Sequence, residues 1–280
     1  MKNKLESAIY GFAIGDALGV PFEFRKRNTF KCKTMEGYGT WGQPAGTWSD
    51  DTSMILATMD AFGKGNIVNL NQIMKNFSDW YNKGKYTPYG ECFDIGGTTR
   101  IAVNRYDNGM DPRDCGGTDE YSNGNGALMR ILPLAFFDYD ENLIDTIAGL
   151  THNTARSKFA CEMYIKVAQN IIMDKFDPND PYMLMIKNLP REKVKSTGYV
   201  IDTLIACLWS FLNSDNYVSA VFNAVNLGND TDTIAALTGA LAGLKYGYDY
   251  IPIIWIEQLA NKDLIDKIVH KFLKSQDKST

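Results

Sequence analysis

Near one end of the chain Ser7, Gly11, Gly15 and Gly19 recur at four-residue spacing, and near the other end Ala235, Gly239 and Gly243 do the same. That spacing keeps small residues on one helix face, and a glycine inside a helix costs about 1 kcal/mol relative to alanine. Several in register therefore call for two central helices whose backbones approach closely, packed around a common site or against each other. Ordinary small-residue packing without chemical meaning is the competing reading.

Helical periodicity continues between these segments. It predicts helices over Leu5 to Leu18, Thr52 to Phe62, Leu70 to Tyr81, Ile144 to Leu150, Arg156 to Met173, Tyr199 to Leu212, Tyr217 to Val225, Ile234 to Tyr246 and Leu264 to Leu273. Sustained strand alternation is scarce, so the expected class is all-α. No Pro/Ser-rich linker, charge run or internal repeat marks a boundary, and residues 1–280 are expected to form one domain. Two Gly-rich stretches, Glu36 to Gly46 and Gly109 to Gly126, are too long to be simple connectors.

Composition narrows the partners. A net charge of −4 gives no general attraction to nucleic acid or anionic membranes, so an anionic ligand must be bound by local features. The five cysteines are scattered without C-x-x-C spacing, which argues against a disulfide framework or zinc site. The N-terminal segment is no convincing signal peptide, no run approaches membrane-spanning length, and no long apolar stripe is evident. A cytoplasmic monomer is expected.

The chemistry concentrates in two acidic clusters, Ser49-Asp50-Asp51-Thr52 and Asp230-Thr231-Asp232-Thr233, each just before an apolar helical segment. Ser, Thr and Asp are preferred helix caps, and a cap explains one acidic residue in each cluster. A second adjacent carboxylate adds repulsion and little capping. Brought together, the clusters form an all-oxygen ligand set suited to Mg²⁺ or Mn²⁺, and a pair of such ions could orient a substrate and activate water. Asp230 and Asp232 are two apart and do not share a helix face, so they must converge from a loop or first turn, with Thr233 placed to cap or ligate.

Further candidates are single features. Gly124-Asn125-Gly126, after Ser122-Asn123, could form a nest of backbone amides at a helix N-terminus, suited to a diphosphate, or a plain turn. His152 could hydrogen-bond a ligand, or cap a helix or fill the core. Glu23, between Phe22 and Phe24, could be a desolvated general acid/base or an exposed loop residue. Asp94 could contact ligand, but a helix cap is the favoured reading.

In chain order these residues resemble the ADP-ribosylglycohydrolase family, which includes dinitrogenase-reductase-activating glycohydrolases and ADP-ribosylarginine hydrolases. The resemblance covers most of the chain and rests on Gly15-Asp16-Ala17-Leu18-Gly19 with Glu23, Ser49-Asp50-Asp51-Thr52, and Asp94-Ile95-Gly96-Gly97-Thr98-Thr99-Arg100. Gly124-Asn125-Gly126-Ala127-Leu128-Met129-Arg130, Thr151-His152 and Gly228-Asn229-Asp230-Thr231-Asp232-Thr233 complete it. It implies a compact orthogonal multi-helix bundle with a cleft holding two Mg²⁺ or Mn²⁺ ions, which cleaves the glycosidic bond at the distal ribose of ADP-ribosylated proteins or small ADP-ribose adducts. By position it implies Ser49, Asp50, Asp51, Asp230, Asp232 and Thr233 as metal ligands, with Glu23, Asp51 and Asp232 in catalytic roles. Ser122, Asn123, Gly124, Asn125 and Gly126 would hold the diphosphate, His152 would contact ADP-ribose, and Asp94 would lie near the scissile end. Ser49 stands where threonine is frequent and Asn229 where a second glycine is frequent; neither change removes a ligand.

Two alternatives stay open at this point. One is a two-metal hydrolase of nucleotide diphosphate bonds, which would release AMP rather than ADP-ribose. The other is a non-catalytic ADP-ribose-binding protein on the same fold, for which missing ligands would be expected.

Overall fold

The computed structural model describes residues 2–64, 67–137 and 141–276. Among them are twelve α-helices and no β-strand. In order these are α1 (Lys2–Gly19), α2 (Asp50–Met59), α3 (Leu70–Lys83), α4 (Gly97–Asp107), α5 (Glu141–Gly149), α6 (Ala155–Ile172), α7 (Pro181–Lys187), α8 (Val200–Leu212), α9 (Tyr217–Val225), α10 (Thr231–Tyr246), α11 (Ile253–Gln258) and α12 (Lys262–Gln276). The all-α expectation holds. None of these helices is long and apolar enough to cross a membrane, and all five cysteines are free.

The two small-residue stripes face each other. A Cβ added at Gly15 would lie 2.1 Å from the Ala235 carbonyl oxygen, one at Gly11 would lie 2.3 Å from that of Gly239, and one at Gly243 would lie 2.1 Å from that of Ser7. The order of these contacts makes α1 and α10 antiparallel, with main chains too close for any side chain between them. Tyr217 on α9 locks the crossing by donating its hydroxyl to the Gly11 carbonyl at 2.8 Å. Both helices are buried along nearly their whole length, so they form the axis on which α2, α6, α8 and α9 pack.

Caps set where the site helices begin. The Ser49 side chain accepts from the Asp51 amide at 3.3 Å, so α2 starts at Asp50, two residues before the expected Thr52, and both acidic residues fall in its first turn. Helix α10 starts at Thr231 rather than Ile234, which carries Asp232 and Thr233 onto its first turn.

Three helices are absent from the periodicity reading. Helix α4 opens on Gly-Thr-Thr, residues of poor helix propensity. Helices α7 and α11 have 7 and 6 residues, too short for a repeating pattern. The start of α7 nonetheless carries a local signal: Asp180 caps the Tyr182 and Met183 amides, and Pro181 occupies the first turn.

Gly15→Ala adds a methyl where the Ala235 carbonyl already stands. Overpacking of this kind costs typically 1–3 kcal/mol against about 1 kcal/mol of regained helix propensity. Urea denaturation is expected to show a net loss of roughly 1 kcal/mol, whereas Gly97→Ala, with open space around its Cβ position, loses no stability.

Candidate active site

The contact between α1 and α10 continues into a cluster of carboxylates. At the end of α1, an added Cβ on Gly19 would lie 2.3 Å from Asp232 Cα, and Thr231 donates its hydroxyl to the Gly19 carbonyl at 2.7 Å. Asp16, one turn earlier, reaches across to α2. Its carboxylate accepts the Ser49 amide at 3.0 and 3.1 Å, the Thr52 amide at 3.0 Å and the Thr52 hydroxyl at 2.6 Å. Asp16 therefore fixes the turn that presents Asp50 and Asp51.

Oxygens of Asp16, Asp51 and Asp232 lie within 4.8 Å of one another, and so do oxygens of Glu23, Asp94 and Asp232. Asp232 belongs to both groups and links them. Thr233 Oγ1 donates to Asp51 Oδ2 at 3.2 Å, as does Ser49 Oγ at the same distance, so the two acidic clusters meet. Thr233 is not the cap of α10; that position is Asp230, which makes no side-chain cap bond and instead accepts from Asn125 Nδ2 at 2.7 Å. Asp50 and Asp230 line the cleft above.

Seven carboxylates are gathered here, and among the described residues none forms an ion pair with a lysine, arginine or histidine. Burial is the leading cause that pushes every one of them up. Asp16 reaches about 6 in spite of its Thr52 and Ser49 donors. Glu23 is raised to about 7, with the Trp41 indole opposing burial, and Asp94 to about 11, with Asp50 and Glu23 adding to burial. Asp50, Asp51 and Asp232 are raised far above the carboxylate range by burial and then by neighbouring carboxylates, chiefly Asp51 for Asp50, Asp16 for Asp51 and Glu23 for Asp232. Asp51 Oδ1 is buried with no hydrogen-bond partner. An all-oxygen set with surplus negative charge and an orphaned carboxylate oxygen fits a hard divalent cation, so these clustered acidic residues could hold metal.

Above the carboxylates opens a cleft of about 510 Å³. Glu23 is buried at its edge; Trp41 Nε1 donates to Oε2 at 2.5 Å, and the indole packs against Phe24 and Phe93. The sequence reading assigned Trp41 no role, although it lies in the overlong stretch Glu36 to Gly46. Asp94 also lines the cleft, at φ 61°. The cap reading favoured for it is overturned, because the N-cap of α4 is Gly96. Asn229 sits at φ 62°, a left-handed conformation that asparagine accepts more readily than most residues.

The facing wall carries Gly124, Asn125, Gly126 and His152. Neither glycine has positive φ, and the loop runs into a single 3₁₀ turn, Leu128–Arg130. Of the two readings of this loop, the plain turn is the one formed, and the nest at a helix N-terminus is not. Besides the starts of α2 and α10, the start of α4 lines the cleft, and there Gly96 offers no side chain to satisfy the first-turn amides. Ser122 and Asn123 do not reach the cleft. The Ser122 hydroxyl donates to Asp119, while Asn123 donates to the Glu120 carbonyl and accepts from Thr154, so both brace the loop from behind.

His152 is buried beside this loop, and an added Cβ at Gly126 would lie 2.7 Å from its Cε1. Burial, reinforced by the Arg130 charge, lowers its pKa to about 3, so the ring is neutral. Arg130 Nη2 donates to Thr151 Oγ1 at 2.8 Å, and Thr151 Oγ1 lies 2.9 Å from His152 Nδ1. An arginine only donates, so the hydroxyl accepts from it; its own proton has no other acceptor among the described residues, which favours Nδ1 as that acceptor and the ring proton on Nε2, facing Gly124 and Gly126.

A helical frame around a carboxylate-floored cleft suits a hydrolase that works with a hard divalent cation. The chain belongs to the ADP-ribosylglycohydrolase family, whose model matches residues 1–280, and it is an ADP-ribosyl glycohydrolase. It is 32% identical to the ADP-ribosylarginine hydrolase Tri1 of Serratia proteamaculans, over 96% of this chain and 78% of that protein. It is 30% identical to the ADP-ribosyl-[dinitrogen reductase] glycohydrolase of Rhodospirillum rubrum, over 91% of this chain and 90% of that one. A solved structure described as an ADP-ribosylglycohydrolase-related protein complex superposes with a TM-score of 0.80 at 28% identity, covering 98% of both chains.

Cation binding should be readable as stability. Raised carboxyl pKa values mean that without cation these groups stabilise the fold below about pH 4, and that this contribution is lost as pH rises through the folded values of about 6 to 7 for Asp16 and Glu23. A divalent cation should reverse that loss. Saturating Mg²⁺ or Mn²⁺ is expected to raise the melting temperature by about 5 °C at neutral pH, much less at pH near 5 where protons compete, and not at all in Asp51→Asn.

Proposed function

We propose that this chain, as one domain, hydrolyses the glycosidic bond between ADP-ribose and an arginine side chain on a modified protein, using two Mg²⁺ or Mn²⁺ ions. The observation that carries the reading is the pair of carboxylate groups sharing Asp232 at the floor of a cleft of nucleotide size. Relatives named for ADP-ribosylarginine and for ADP-ribosylated dinitrogen reductase support the choice of a protein-linked arginine.

Ser49, Asp50, Asp51, Asp230, Asp232 and Thr233 are the proposed metal ligands, with Asp16 positioning the first three through its bonds to Ser49 and Thr52. Divalent cations held there would supply charge compensation and Lewis acidity for ribose hydroxyls and water.

The remaining roles belong to the chain's own groups. The His152 Nε2–H donates to the bound nucleotide, and being neutral it does so without depending on solution pH. Gly124, Asn125, Gly126 and the first turn of α4 lie along the wall suited to the diphosphate, while Ser122 and Asn123 hold that loop in place. Glu23, oriented by Trp41, takes the proton of the attacking water as the bond to the guanidinium nitrogen breaks. Asp94, beside Glu23, faces the scissile end.

Incubation with arginine-ADP-ribosylated protein is expected to release free ADP-ribose, with EDTA abolishing release; AMP as product, or release indifferent to EDTA, contradicts the reading. Glu23→Gln is expected to lower kcat by roughly 10²–10⁴-fold while keeping the cation-induced rise in melting temperature. Loss of that rise would place Glu23 among the metal ligands instead.

A further inference from the structure

The charge of this acidic chain is unevenly spread. Residues 25–36 contain Arg25, Lys26, Arg27, Lys31 and Lys33 against Glu36. Residues 191–195 contain Arg191, Lys193 and Lys195 against Glu192. Together these segments carry eight basic and two acidic side chains, a net of +6 in a chain of net −4, which leaves −10 over everything else.

The structure builds the two segments into one surface. The Arg27 guanidinium donates to the Leu227 carbonyl at 2.8 Å and to the carbonyls of Arg191 and Val194. Arg191 donates to Asn28 Oδ1 at 3.0 Å and to the Asn226 carbonyl. Every one of these acceptors is uncharged, so the cross-links leave both positive charges uncancelled. Arg25 stacks on Phe22 and Phe30, while Lys26, Lys31, Lys33, Lys193 and Lys195 are exposed. Among the described residues none of the eight forms an ion pair. Lys31, Lys33 and Arg191 border a groove of about 500 Å³.

This surface adjoins the cleft on two sides. Phe24 lines the cleft and Arg25 follows it; the Phe24 amide donates to the Asn229 carbonyl and the Asn229 amide to the Arg25 carbonyl, at 2.7 and 2.8 Å. Thr197 and Gly198 line the cleft two and three residues after Lys195.

We propose that this basic surface docks an acidic stretch of the protein that carries the ADP-ribosyl group, close to the modified side chain. The inference rests on the reading of a protein substrate made above. A polynucleotide is the weaker occupant, because its phosphates run on past the two basic segments and over a chain that is otherwise net −10. A protein can offer acidity at the patch alone.

The test uses two synthetic peptides, each ADP-ribosylated at one arginine, with either glutamates or glutamines flanking it, and the full-length protein with Lys31, Lys33, Lys193 and Lys195 all replaced by Glu. Wild type is expected to show roughly tenfold higher kcat/KM on the acidic peptide at low salt, the preference vanishing at about 0.5 M NaCl where charges are screened. The variant is expected to lose the preference while turning over the glutamine peptide at the wild-type rate, which also verifies its fold. A preference that survives in the variant, or no preference in wild type, overturns the proposal, as does lysine-dependent binding of oligo(dT) without binding of a glutamate-rich peptide. Anisotropy with the unmodified glutamate-rich peptide needs no turnover. If neither modified peptide is cleaved yet this probe binds wild type and not the variant, the arginine hydrolase reading fails and the docking surface stands.

Discussion

Main-chain contact between α1 and α10 decides where the chemistry can be. Side chains at Gly11, Gly15, Gly19 or Gly239 would force the helices apart, since each added Cβ would lie within 2.3 Å of the opposing backbone. That approach sets Asp232, at the start of α10, against the end of α1, one turn from Asp16. Asp16 then holds α2 through Ser49 and Thr52. A rigid backbone contact is thereby converted into the placement of carboxylates whose sequence positions are separated by nearly the whole chain. Helices joined through longer side chains would leave this spacing to rotamers.

The acidic floor stays open to a cation because most of its supports are hydroxyls and amides. Ser49, Thr52 and Thr233 donate to Asp16 and Asp51 without contributing positive charge, so the negative potential remains available to a cation. A lysine or arginine in the same place would have neutralised the pocket and competed for its ligands. The one fully buried arginine of this region, Arg130, is directed instead at Thr151 and the Ile147 carbonyl and lies over the Phe77 ring. There its charge helps keep His152 neutral.

What could be read from the sequence was what depends on neighbours along the chain. The acidic clusters, the Ser49 cap and nine helices follow from local spacing. The facing stripes were legible as a demand for close approach, though not as a pairing of one particular helix with another. Asp16 as the organiser of α2 was illegible because its acceptor atoms meet donors 33 and 36 residues away, and Trp41 for the same reason. The capping and ligating readings of Ser49 were posed as alternatives, yet its oxygen accepts the Asp51 amide while its hydroxyl contacts the Asp51 carboxylate, so capping delivers the residue to the site. At Ser122 and Asn123 motif order suggested ligand contact, whereas both side chains are consumed by the loop itself. Motif order does not reveal which way a side chain turns.

The two walls of the cleft are joined by Asn125. Its amide nitrogen donates to Asp230 Oδ2 at 2.7 Å and to Thr203 Oγ1 at 3.0 Å, and its main-chain N–H donates to the Gly198 carbonyl at 3.1 Å. A residue on the glycine loop is thus bonded to a carboxylate of the acidic floor. Because Asp230 occupies the N-cap position of α10, the loop is referenced to the same helix that positions Asp232. In the proposed reading a phosphate lies on one wall and a ribose over the other, and their separation must be fixed for the anomeric carbon to meet its nucleophile, since small misplacements are costly in rate. On that reading the Asn125–Asp230 bond would supply the fixed separation from within the protein.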